Sequence, residues 1–197
     1  DFVFKKYKGY LFRDPLRNED KALRSYSDAL PEQKTDNAGA GAFVLKLSEF
    51  EQGTYNLRLS IDGLEQGSGR GVSISLGALV SPNKYLIGWK ADGNLAYIDN
   101  NAVRHIQFIA VDNKLQQIAK DGLYLTLARR RYISSLVEMP NGTYRYQMVP
   151  KEQVISKRAW TVSDNGASEL LKTDEPGEYI LTVEGEDGRD RKSTRLN

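Results

Sequence analysis

The sequence predicts an all-β protein made of antiparallel β-sandwiches, two of them in tandem. Three observations predict it. Apolar residues recur at every second position, most clearly in Tyr55, Leu57, Leu59 and Ile61 and in Val72, Ile74, Leu76, Ala78 and Val80; a period of two marks a strand with one buried face. Turn signals such as Asp14-Pro15, Ser81-Pro82-Asn83, Asp92-Gly93-Asn94 and Asn141-Gly142 interrupt these stretches at short intervals. Finally, one phrase occurs twice: a turn glycine, then tyrosine, then alternating apolar residues, from Gly53 through Tyr55 to Ile61 and from Gly177 through Tyr179 to Val183. The lead-ins, Thr35-Asp36-Asn37 and Ser163-Asp164-Asn165-Gly166, also match. Each copy therefore reads as a hairpin, and two copies suggest two copies of a domain.

The elements follow in order. Phe2, Phe4, Tyr10 and Phe12 alternate loosely and predict one or two strands ended by Asp14-Pro15. Leu16 to Tyr26 has the spacing of a short helix with Asn18 as a cap, after which the chain turns polar up to Gly41. Phe43, Leu45 and Leu47 predict a strand, followed by the strands at Tyr55–Ile61 and Val72–Val80 with a glycine-rich turn between them. The first module is thus expected over residues 1–82, with a long polar loop at 16–42, and the second over 83–188. In the second, Val103–Val111 is apolar on both faces, as a central strand is; Leu123–Leu127, Tyr132–Val137 and Tyr144–Met148 alternate, and Pro140-Asn141-Gly142-Thr143 is a tight-turn signal. Val154-Ile155 and Trp160–Val162 predict further short strands. Residues 189–197 are charged and unpatterned and predict a frayed tail.

Composition excludes several classes. The 197 residues carry 28 Lys and Arg against 26 Asp and Glu, a net charge of +2, which is no nucleic-acid footprint. No apolar run reaches the roughly 18 residues of a membrane helix. There is no cysteine, hence no disulfide, zinc thiolate or thiol nucleophile. The chain begins at Asp1 without a signal peptide, so a processed chain or a fragment is expected.

No catalytic constellation, cofactor site or metal site is predicted. His105 is the single histidine and lies in the most apolar strand, so a structural imidazole is expected. Gly67-Ser68-Gly69-Arg70-Gly71 resembles a phosphate loop, but a strand pattern follows where a helix N-terminus would be needed, so a turn is expected. Arg129, Arg130 and Arg131 with Lys151, Lys157 and Arg158, beside Tyr132, Tyr144 and Tyr146, could form a basic stacking strip; the charge balance favours a solvated sheet face. Asp174, Glu175, Glu184, Glu186, Asp187 and Asp190 lack the ordered spacing of a calcium loop and read as loop acids.

At Leu79 to Leu95, the junction between the expected modules, the sequence resembles bacterial α2-macroglobulin-like proteins. Tyr10–Leu16, Leu30–Asp36, Gly53–Leu59, Arg104–Asp112, Arg130–Ser134, Asn141–Tyr146 and Asp174–Tyr179 extend the likeness over nearly the whole chain. The resemblance implies macroglobulin-like sandwiches from a much longer periplasmic protein that traps or inhibits proteases, often anchored by a lipid on an N-terminal cysteine. It implies no enzymatic activity, with proteases and other domains of the same protein as partners. Trapping members use an exposed bait segment and a Cys-x-x-Gln thioester; with no cysteine, this chain holds neither the thioester nor the lipid site. A protease-accessible loop is expected at 16–42, with Arg17, Lys21, Arg24 and Lys34 as trypsin-like cut sites, either as an ordinary surface loop or as a bait. The alternative is a pair of Ig-like binding modules of an adhesin or carbohydrate binder, which predicts Tyr144, Tyr146 and Trp160 exposed as an aromatic strip.

Overall fold

The computed structural model describes residues 2–14, 25–51, 53–65, 67, 69–96, 98, 99, 102–173, 175, 177–185 and 192–196. The class is all-β with antiparallel ladders, and the chain divides into two compact units: Leu16–Lys84, and Asp1–Pro15 together with Tyr85–Asn197.

In strand order the elements are β1 (Leu11–Phe12), β2 (Tyr55–Leu64), β3 (Gly71–Val80), β4 (Tyr85–Ala91), β5 (Val103–Asp112), β6 (Gln117–Ile118), β7 (Lys120–Glu138), β8 (Tyr144–Val162), β9 (Ala167–Lys172), β10 (Glu178–Gly185) and β11 (Lys192–Leu196). The larger unit is a two-sheet sandwich. In one sheet β1, β4 and β5 lie side by side, and β6 and β9 share the far edge of β5; the other sheet runs β11-β10-β7-β8. Ile87, Ile106, Phe108 and Leu171 from the first sheet meet Leu123, Leu125, Trp160, Val162, Tyr179 and Leu181 from the second. The Phe108 and Trp160 rings meet edge to face at 4.9 Å.

The N-terminal residues belong to this sandwich and not to the module of residues 1–82 that their position suggests. Leu11 pairs with Trp89 and Phe12 with Gly88. The cause is a surface that only an aromatic segment fits. Strand pairing sets Leu86, Gly88, Ile109 and Val111 on the face of the first sheet opposite to the core. Gly88 has no side chain, and the Phe12 ring fills the space above it, within 2.5 Å of where a β-carbon would stand. Phe2 stacks on Phe12 and Phe4 meets both rings edge to face, Phe12 is fully buried, and Lys6 and Tyr7 donate to the Leu115 carbonyl at 2.6 and 3.0 Å. This cover explains why β5 is apolar on both faces.

The repeated phrase also departs from expectation. Its second copy is not a hairpin: β9 pairs with β5 in one sheet and β10 with β7 in the other, so consecutive strands of the phrase lie in different sheets. Tyr179 makes the crossing, its hydroxyl donating to the Glu175 carbonyl at 2.7 Å, which is the tyrosine corner of Ig-like sandwiches. The expected tail is partly replaced by β11, which lies along the outer edge of β10 from Val183↔Lys192 to Tyr179↔Leu196. An open ladder edge accepts backbone partners whatever their side chains.

The smaller unit contains the ten-residue pair β2–β3, closed by Glu65 N–H to Arg70 carbonyl at 2.9 Å, and a 3-10 turn at Ser48–Phe50. Tyr55, Leu57, Leu59 and Ile61 are half-buried, whereas Val72, Ile74 and Leu76 on β3 are exposed, the last two directly opposite Ile61 and Leu59. The expected strand at Phe43–Leu47 joins no ladder; Tyr55 packs instead on the Phe50 ring at 5.3 Å. The helix expected from Leu16 lies almost wholly outside the described residues.

Candidate interaction surface

The feature with most exposed chemistry is an arm. Sequence reading splits residues 123–162 into several short strands; in the structure they form two strands of 19 residues each, paired up to Glu138↔Tyr144. The Asn-Gly signal does its expected work. Gly142 has φ +76°, its N–H and that of Met139 close the turn on Met139 and Thr143 carbonyls, and the Asn141 side chain accepts from Thr143 at 3.2 and 2.8 Å. Pro150 is tolerated because β8 is an edge strand. The ladder slips twice, between Lys120 and Leu123 and between Leu127 and Ala128, and at the second slip Ile155 is the extra residue of a bulge.

β10 accompanies β7 only as far as Glu178↔Arg130. Beyond it, the eight pairs from Arg131↔Lys151 to Glu138↔Tyr144 stand as a two-stranded ribbon with no third strand among the described residues. Side chains directly opposite in the ladder share a face. One face therefore holds Tyr132, Ser134, Leu136 and Glu138 with Pro150, Met148, Tyr146 and Tyr144; the other holds Arg131, Ile133, Ser135 and Val137 with Lys151, Val149, Gln147 and Arg145. The first face is aromatic and apolar and lies open, Tyr146 being 77% exposed.

Charges fasten the arm at its root. Glu152, Arg130 and Glu178 are cross-strand neighbours on three adjacent strands. Arg130 reaches Glu152 at 2.5 Å and Glu178 at 3.1 Å, and the Tyr132 hydroxyl donates to Glu178 at 3.1 Å. The hydrogen bond to Glu152 raises the Arg130 pKa above its ordinary value, burial opposes this, and the charge of Glu178 adds to it. On the other face Glu175 accepts from Arg129 and, at 3.2 Å, from Arg131. The Arg129 hydrogen bond, then its charge, hold the Glu175 carboxyl below its ordinary pKa. Arg129 also lies over the Tyr179 ring at 6.0 Å, so the tyrosine corner and the arm's root are one assembly.

The other sequence candidates resolve as follows. Five of the six residues of the basic strip are paired within the protein: Lys157 with Glu184 and Arg158 with Glu169, in addition to the three arginines. Glu175 and Glu184 are thus ion-pair partners, while Asp174, Glu186, Asp187 and Asp190 lie outside the described residues. His105 is exposed on β5 opposite Leu170, not enclosed by the strand's apolar residues, because it stands near the strand's less buried start. The glycine-rich loop joins β2 to β3, as the turn reading expects. Tyr144 and Tyr146 are exposed, but Trp160 is only 7% exposed, a core residue donating to Glu169 at 2.6 Å. The Ile155 bulge reverses which face β8 residues occupy, so parity counted along the sequence does not carry from Tyr146 to Trp160. Lys34 is exposed in a stretch without regular structure; Arg17, Lys21 and Arg24 lie outside the described residues.

Comparison with known proteins accords with this architecture. The chain is 38% identical to an α2-macroglobulin homolog of Yersinia pestis over 186 residues, covering 94% of this chain and 9% of that protein. It is 33% identical to an α2-macroglobulin of Pasteurella multocida, covering 98% of this chain and 10% of the relative. The chain thus spans about a tenth of the length of these relatives. A crystal structure of Salmonella α2-macroglobulin shares the fold at a TM-score of 0.54 and 18% identity, over 98% of this chain and 13% of that one. The family model described as bacterial macroglobulin domain 6 matches residues 88–197, more than half of the sequence. The chain therefore belongs to the bacterial α2-macroglobulin family.

Proposed function

We propose that this chain is a non-enzymatic part of the shell of a periplasmic α2-macroglobulin-like protein that traps or inhibits proteases in bacterial defence. Family membership carries the reading. Its finer part concerns the loop. Residues 27–47 have no ladder, and Lys34 is exposed among exposed neighbours, whereas the basic residues at 129–131 sit in paired strands. Accessible backbone outside a ladder is what a protease cuts first. The loop expected over 16–42, with Arg17, Lys21, Arg24 and Lys34, is the proposed point of attack.

Limited proteolysis of the full-length protein with a trypsin-like protease, followed by mass mapping and sedimentation, tests this. The expected result is first cleavage within 16–42, Lys34 included, accompanied by a change of shape. First cleavage elsewhere, or slow uniform trimming at constant shape, would overturn it. The exposed Tyr144 and Tyr146 favour a second reading, a carbohydrate-binding module, and the burial of Trp160 weakens it. Saturable glycan binding that is lost in Tyr146→Ala would support it.

A further inference from the structure

We propose that the aromatic face of the β7–β8 arm is a docking surface for another domain of the same long polypeptide, one that presents an apolar β-sheet face outside residues 1–197. The inference rests on the chain being about a tenth of its relatives' length, and is independent of protease capture.

Four observations lead there. First, Tyr132, Leu136, Tyr144, Tyr146 and Met148 lie on one exposed face with Glu138 as its one charged residue. A cluster of that composition is recognised by an apolar surface rather than by a charged one. Second, the charges at the arm's root are engaged with one another, Arg130 with Glu152 and Glu178 and Arg131 with Glu175, while Arg145 and Lys151 lie on the opposite face of the ribbon. The aromatic face itself thus offers a charged partner little beyond Glu138.

Third, a two-stranded ribbon is at best marginally stable in water, and a third strand or a packed face is what makes such a ribbon persist. β10 leaves the ladder at Arg130, so the outer edge of β7 from Arg131 to Glu138 continues the sheet in line with β10 and offers backbone pairing as well.

Fourth, the area selects a tethered occupant. Eight pairs at ~3.4 Å rise make a face ~27 Å long and two strands, or ~10 Å, wide, hence ~300 Å². An independent partner or a second copy needs about 800 Å² per side for a stable complex. A domain held on the same chain needs far less, because its local concentration is supplied by the covalent connection.

The test uses the intact full-length protein and its two methionines within this region. Met148 is exposed on the aromatic face and Met139 is half-buried at the turn. Hydroxyl-radical footprinting read by mass spectrometry gives their oxidation rates. Docking predicts Met148 oxidised several-fold more slowly than Met139 at every protein concentration. Faster oxidation of Met148 would overturn the proposal. So would protection that grows with protein concentration, which points to a second copy, or protection seen only with a bound protease, which points to the target. Alkylation supplies a second reading: the thiol of Tyr146→Cys should react several-fold more slowly than that of Arg145→Cys on the opposite face. Equal rates would also overturn it.

Discussion

Gly88→Ala is the sharpest perturbation of this fold. The new methyl carbon would stand 2.5, 2.6 and 3.0 Å from three ring carbons of Phe12. Carbon atoms in contact rest at about 3.5–4.0 Å, so the ring must retreat by ~1 Å. It has little room to do so, since Phe12 is fully buried, stacked on Phe2 and met edge to face by Phe4. Overpacking of this kind costs ~1–3 kcal/mol. Replacing a strand glycine returns roughly 0.5–1 kcal/mol of backbone entropy, leaving a net ~1–2 kcal/mol. Complete undocking would lose about 1.5–3 kcal/mol of Phe12 burial and about 1 kcal/mol for each of the two Phe2–Phe12 hydrogen bonds. That exceeds the clash, so the segment stays docked but opens more often. At 1.4 kcal/mol per tenfold, the Phe2 and Phe12 amides should exchange roughly 5- to 30-fold faster in hydrogen exchange, while those of Phe108–Val111 keep their rate. In combination with Phe12→Ala the effects on stability should be less than additive, because the truncated ring no longer meets the methyl. Unchanged exchange at Phe2 and Phe12 in Gly88→Ala would refute the packing of the N-terminal segment over β4.

Two further outcomes follow from the arm's root. Tyr179→Phe removes the 2.7 Å hydrogen bond to the Glu175 carbonyl and keeps the ring under Arg129, so chemical denaturation should show a loss of ~0.5–1.5 kcal/mol; an unchanged midpoint would deny the corner its role. Glu175 has a folded pKa below its ordinary 4.5, so its contribution is present above that value and disappears as pH falls through the lower folded one. Thermal unfolding of wild type and Glu175→Gln should therefore differ at neutral pH and converge at the acid end, and added salt should narrow the neutral difference; a gap that persists in acid would contradict the ion-pair account.

Much of the larger unit was legible in the residues. Alternation located the buried faces of β7 and β10, the doubly apolar Val103–Val111 located the central strand, and Asn141-Gly142 located the turn of the arm. What escaped was long-range pairing. A period of two says that a strand has a buried face, and nothing about which sheet supplies the opposite one. Hence β9 and β10 resembled a hairpin while lying in different sheets, and Phe2 and Phe12 resembled part of the neighbouring module. A signal for the latter was present in Gly88, a residue without a side chain inside the apolar run Tyr85–Trp89, which marks a close approach by another segment. The arm was missed as a unit because Lys157 and Arg158 break its apolar pattern, and the Ile155 bulge shifts the parity of β8.

The pairing of β1 with β4 has one more consequence. These strands are neighbours in a sheet but are separated in sequence by residues 13–84, so the whole smaller unit is the content of a closed loop. Closing a loop of that length costs only a little more entropy than closing a short one, as long as the chain is continuous. A single peptide-bond cut inside it, at Lys34 for instance, would turn the pairing from a unimolecular event into an association of two pieces. Residues 1–34 would then be retained by noncovalent contacts alone, among them β1, the phenylalanine cluster, the bonds to Leu115 and the packing of Tyr26 on Phe50. From that moment the edge of the sandwich would depend on dilution, and a cut made in one unit would be registered in the strand order of the other.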